Sequence, residues 1–146
     1  MKLNALYDLA DRENIVIDEF PMEHQVSFSL MDIEDGSCYI AIDPLQLDSS
    51  QSEKLILAHE LGHCMTGSFY NRYAACDIRK RHENHADKWA FANLVPEKEL
   101  NEAVSAGFTE IWQLAEYFDV PPKYMARACH WYRFHNMDFI AQGGTT

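Results

Sequence analysis

His59 and His63 stand four residues apart in Ala58-His59-Glu60-Leu61-Gly62-His63. On an α-helix that spacing turns the second side chain by roughly 40° and lifts it about 6 Å, so both imidazoles leave one face. Two neutral imidazoles presented this way can bind one Zn²⁺. Glu60 follows His59 directly. From there it flanks such a metal without being a good ligand, the place of a general base for a metal-held water. The neighbours argue against two ordinary surface histidines. Leu55, Ile56, Leu57, Ala58, Leu61, Cys64 and Met65 make the helix apolar nearly all round, as in a buried helix. Two histidines and a carboxylate inside it need partners, and a metal supplies them.

A catalytic zinc usually keeps three protein ligands and an open fourth position. Glu83 is the candidate third ligand, twenty residues past His63, which leaves room for a loop and a reversal onto a second helix. Asp87 falls one turn later, where a carboxylate can accept a hydrogen bond from the far ring nitrogen of a zinc-bound histidine. His82 and His85 compete with Glu83. His85 is two residues from Glu83, so the two cannot both reach one metal from a regular helix. Both histidines also read simply as helix-surface residues.

The elements that must hold these side chains are legible in outline. Ser50-Gln51-Ser52-Glu53 reads as a capping box that opens the zinc helix, and Gly67 as its C-cap. A loop over 68–77 leads to a second helix over 78–94, stopped by Pro96. On it Glu83, Ala86, Asp87, Ala90 and Leu94 share one face. Upstream, Leu3, Leu6, Tyr7 and Ala10 predict an amphipathic helix. Strands are expected over 14–20, 26–30 and 38–42, with a hairpin turn at Asp35-Gly36. In the second strand Val26, Phe28 and Leu30 alternate with Ser27 and Ser29, as in a half-buried strand. Downstream, Pro96, Thr109 and Pro121-Pro122 each introduce a short helix, and residues 136–146 read as a fraying tail. The fold class is α+β: a small antiparallel or mixed three-stranded sheet with a mainly helical remainder. One domain is expected over 1–146, with a zinc core at about 45–96 and a C-terminal helical part at about 97–135.

Charge and cysteine usage narrow the function classes. The formal net charge is −11, which disfavours direct nucleic-acid binding and reads either as plain solubility or as attraction for a basic protein partner. No apolar run is long enough to span a membrane, and Met1–Asp8 lacks the features of a signal peptide, so the chain is expected to be cytoplasmic. Cys38, Cys64, Cys76 and Cys129 form no C-x-x-C pair and are expected as reduced, mostly buried thiols.

His59-Glu60-Leu61-Gly62-His63, followed by Glu83-x-x-Ala86-Asp87-x-Trp89-Ala90 and Leu94-Val95-Pro96, resembles the ImmA/IrrE family of metallo-endopeptidases, over roughly residues 15–135. The resemblance implies a zincin-like, gluzincin-like domain in a cytoplasmic zinc peptidase of bacterial or phage origin. Members often cleave a helix-turn-helix repressor encoded beside them. It also implies one Zn²⁺ per chain on His59, His63 and Glu83, with Glu60 as the catalytic base. Many members carry a second acid two residues after the first; here that position is His85. Tyr70, Tyr73, His82 and His130 are candidate donors to the oxyanion, and an extended substrate is expected to pair with an edge strand, the one leading into the zinc helix. Two other readings compete. Residues 109–133 resemble a helix-turn-helix, so the chain reads also as a DNA-binding regulator. A zinc-containing regulatory protein without protease activity is the other.

Overall fold

The computed structural model describes residues 1–70 and 74–135. Tyr73 and the 136–146 tail lie outside the described residues. The chain divides into two compact units, Met1–Ala90 and Phe91–Thr146.

The first unit opens with α1 (Leu3–Arg12), which buries Leu6 and Ala10 along one stripe. Three strands follow, β1 (Val16–Glu19), β2 (Ser27–Met31) and β3 (Cys38–Ile42). They form one mixed sheet in the order β1-β3-β2, so the last strand lies at its centre. β1 runs parallel to β3 with Val16 opposite Tyr39. β2 runs antiparallel to β3 with Ser27 opposite Ile42 and Met31 opposite Cys38. The parallel pair needs a crossover of a dozen or more residues, and the stretch carrying β2 supplies it. β2 is therefore an edge strand. The strand expected at the edge, β3, leads into the helix that carries His59 and His63 but is paired on both sides.

α2 (Ser50–Thr66) carries both motif histidines. Its N-cap is Ser49, whose hydroxyl accepts from the Ser52 N–H at 3.1 Å. The expected cap at Ser50 is thus one residue late, because Ser49 keeps the extended backbone a cap needs, with φ −163°. Glu53, released from a capping role, accepts instead from the Tyr7 hydroxyl on α1 at 2.7 Å. Gly67 ends the helix in the left-handed region, φ 66°, as its C-cap reading requires. Leu57 and Leu61 are fully buried with Leu6, Ile40 and Ile42, which fixes α2 against α1 and the sheet. α3 (Cys76–Leu94) begins two residues before the expected start.

Cys38 and Cys64 form a disulfide between β3 and α2, with Cα atoms 5.9 Å apart. This corrects the expectation of four reduced thiols. Sequence spacing showed no pairing because the partners lie 26 residues apart and meet only when β3 packs on α2. Cys76 and Cys129 are free.

The second unit holds α4 (Glu97–Ser105), α5 (Ile111–Phe118) and α6 (Pro122–His135). Leu94, Val95, Leu100, Val120, Met125 and Ala128 are buried in it, and the Tyr132 hydroxyl donates to the Val95 carbonyl at 2.6 Å. Glu110, not Thr109, caps α5, with the Gln113 side chain accepting from its N–H at 3.1 Å. No helix among the described residues is long and apolar enough to cross a membrane.

Candidate metal centre

One residue sets how closely α2 and α3 approach. A Cβ on Gly62 would lie 2.5 Å from the Ala86 carbonyl oxygen and 2.9 Å from its Cα. The two backbones therefore touch, which only glycine permits. Ala86 sits between Glu83 and Asp87 on α3, and Gly62 sits beside His63 on α2. The contact brings the two pairs of polar side chains together.

Both imidazoles turn Nε2 toward Glu83. His59 Nε2 is 2.8 Å and His63 Nε2 3.4 Å from Glu83 Oε2. One ligand atom from each of the three residues lies within 4.8 Å of the other two, so together they can hold a metal ion. The opposite ring nitrogens are occupied. His59 Nδ1 faces Asp87 Oδ1 at 3.0 Å, and His63 Nδ1 is hydrogen-bonded to the Ser68 carbonyl. A carbonyl only accepts, so His63 Nδ1 carries the proton, and in the neutral ring Nε2 keeps its lone pair for a cation. Asp87 has the same effect on His59. Two imidazoles and a carboxylate, with both far nitrogens satisfied, are a donor set that fits zinc.

Without a metal, the same contacts favour proton uptake by the two rings, which a cation would have to displace. Burial disfavours a charged His59, but hydrogen bonds to Asp87 and Glu83 outweigh it and push its pKa up to about 10. His63 is raised as well, burial again opposing and Glu83 and the Ser68 carbonyl prevailing. The hydrogen bonds from His59 and His63 hold the Glu83 carboxyl far below the usual carboxylate range. The Tyr70 hydroxyl donates to Glu83 Oε1 at 2.7 Å, and that bond, with burial, pushes its own pKa up to about 12.

Glu60 is 5% exposed and needs donors. Ser27 Oγ donates to Oε2 at 2.8 Å and Ser29 Oγ to Oε1 at 3.0 Å. The alternation in β2 gives two faces, and it is the serine face that meets α2, while Leu30 on the other is 57% exposed. Sequence reasoning missed both serines for this reason. The signal was present: two hydroxyls at i and i+2 on a strand, and a buried acid elsewhere that lacked donors.

These side chains line a cleft of about 310 Å³, walled by Ser27, Phe28 and Ser29, by His59, Glu60 and His63, by residues 68–70 and by Glu83. Tyr70 lines it, whereas His82 stacks on Tyr70 at 6.2 Å with its Nδ1 buried and without a partner among the described residues. His85 is exposed and turns Nδ1 to Ser68 Oγ at 3.3 Å. Neither histidine joins the convergent group. His130 is an exposed residue of α6 in the second unit.

A family model for the IrrE N-terminal-like domain, Peptidase_M78, matches residues 10–130. The chain belongs to the ImmA/IrrE family. The match covers β1 to α5 and most of α6, and so takes in every residue of the convergent group. The family is of metallopeptidase type, and the His59, His63 and Glu83 cluster is consistent with a metal in such a protein. A comparison with curated proteins found no match.

Proposed function

We propose that this chain is a zinc-dependent endopeptidase that cleaves a helix-turn-helix repressor of a phage or mobile element at a specific site, in the cytoplasm. The observation that carries the reading is the convergence of two imidazoles and a carboxylate in an open cleft, with a buried glutamate beside them. His59, His63 and Glu83 would hold the zinc. Bound there, zinc supplies a Lewis acid that makes water a nucleophile at neutral pH and stabilises charge developing on a peptide carbonyl.

The chain's own residues do the rest. Asp87 and the Ser68 carbonyl fix the two ring orientations. Glu60 takes a proton from the attacking water and passes it to the leaving amine. Tyr70, the described donor candidate that lines the cleft, releases its hydrogen bond to Glu83 and donates to the oxyanion. An extended segment of substrate pairs with the edge of β2 that no described strand covers. The reading implies a protein substrate, with net charge −11 favouring a basic one.

Wild type and Glu60→Gln, incubated with helix-turn-helix repressors, test this reading. The variant should keep its zinc, measured by elemental emission, and lose cleavage. Equal cleavage by both proteins removes Glu60 from the chemistry. Undiminished zinc in Glu83→Ala moves the third ligand to a neighbouring histidine. The DNA-binding alternative draws on α5 and α6, joined through Asp119 in a left-handed turn, φ 53°. A gel shift across salt separates the two readings.

A further inference from the structure

β2 touches the site in two ways, and the same residues account for both. The Asp43 N–H donates to the Val26 carbonyl, and the Asp32 N–H to the Ser37 carbonyl, each at 2.8 Å. With Ser27 opposite Ile42, these are hydrogen-bonded pairs of the antiparallel ladder. Such a ladder alternates strictly, so Phe28 and Leu30 spend their peptide groups on β3. Ser27 and Ser29 therefore point theirs outward, at the edge that no described strand covers. Their side chains stand perpendicular to that edge, on the face toward α2, where the hydroxyls meet the two oxygens of Glu60.

We infer that Ser27 and Ser29 are positioning residues that clamp the Glu60 carboxylate and tie its orientation to the strand on which substrate is laid. The inference rests on the peptidase reading of Glu60. A carboxylate on a two-torsion stem can rotate about its last bond; a donor on each oxygen removes that freedom. Each oxygen keeps a second lone pair for water, so the clamp orients the base without blocking it. A chain pairing with the outer groups of residues 27 and 29 holds the backbone that carries both hydroxyls. Substrate alignment and base alignment then share one frame, set on the same short strand. Misplacement of a catalytic group by about 1 Å costs on the order of 100-fold in rate.

The test uses zinc-loaded full-length protein as wild type, Ser27→Ala, Ser29→Ala, the double alanine variant, and the two threonine variants that keep a hydroxyl. The substrate is a helix-turn-helix repressor cleaved by the wild type. The double alanine variant should lose about 10–100-fold in kcat, with KM within about twofold and zinc content unchanged. Threonine should restore most of the loss. A second readout needs no substrate: the carboxylate stretching band isolated by subtracting the Glu60→Gln infrared spectrum should shift when the serines are removed. An unchanged kcat, a rise in KM alone, threonine as damaging as alanine, or an unmoved band overturns the clamp. Should the double variant fail to fold, the single variants carry the same test with one donor lost each. A wild type inert toward every repressor removes the peptidase reading, and the positioning role falls with it; cleavage that survives in the alanine variants removes the clamp alone.

Discussion

Gly62→Ala tests whether one backbone contact sets the spacing of His59, His63 and Glu83. The new Cβ would meet the Ala86 oxygen at 2.5 Å, its Cα at 2.9 Å and its carbonyl carbon at 3.0 Å. All three are backbone atoms, so no side chain can rotate away. Restoring an ordinary carbon–oxygen separation of about 3.4 Å requires α2 and α3 to part by about 1 Å. Overpacking of this kind costs about 1–3 kcal/mol. Alanine returns about 1 kcal/mol through helix propensity. The clash is with main chain, so the upper part of the range applies and a net loss of about 1–2 kcal/mol is expected. Calorimetry of the metal-free variant should show a melting temperature lower by about 3–8 °C. The metal effect should be larger, because ligand distances tolerate only about 0.2 Å and His59 and His63 ride on one helix while Glu83 rides on the other. Competition with a chromophoric chelator should give a zinc affinity at least about tenfold weaker. A variant that melts as high as wild type and binds zinc equally well would show that the helix spacing is set elsewhere.

Asp87→Ala should weaken zinc binding by about 10–100-fold by freeing the His59 ring, and an affinity equal to wild type would deny Asp87 its orienting role. The metal-free protein should be most stable near pH 5–6. His59 has its pKa raised from 6.5 to about 10, so its contribution is complete below 6.5 and lost as pH climbs toward 10. Glu83 is lowered from 4.5, so its contribution is complete above 4.5 and lost on acidification. Urea unfolding in the presence of a chelator should show stability falling from pH 7 to 9, and a rise over that interval contradicts the assignment. The thermal shift produced by zinc should instead grow from pH 6 to 8, because the cation displaces protons from the imidazoles. Reducing Cys38–Cys64 reopens a loop between residues 26 apart in sequence, worth about 3.5 kcal/mol by loop entropy; coincident urea curves with and without reductant would refute that figure.

The parts of the site visible in the sequence are those fixed by helix geometry or by scarce chemistry. His59 and His63 share a face because 3.6 residues make a turn, whatever surrounds them. Glu83 and Asp87 stood out because acids on a face of Ala86, Ala90 and Leu94 need a reason to be there. The fold class and most helix bounds followed from apolar periodicity and from proline and glycine stops. Most of what failed depended on pairing between distant segments. Sheet order placed β3 at the centre, which no local pattern states. The Cys38–Cys64 bridge follows from that order. The Ser50 cap failed by one residue because Ser49 and Ser50 carry the same hydroxyl and only backbone torsion chooses between them.

β2 shows the physical reason most clearly. Alternation says that two faces differ; it does not say which is turned inward. The usual rule sends Val26, Phe28 and Leu30 to the core and the serines to water. That rule assumes an apolar partner surface. Here the partner surface is the Glu60 face of α2, where a buried carboxylate left without donors costs more than a half-exposed leucine gains by burial. The polar face of the strand therefore goes inward. Where a strand packs on a helix with a buried charge, strand polarity has to be read against the charge it must satisfy before it is read against the core.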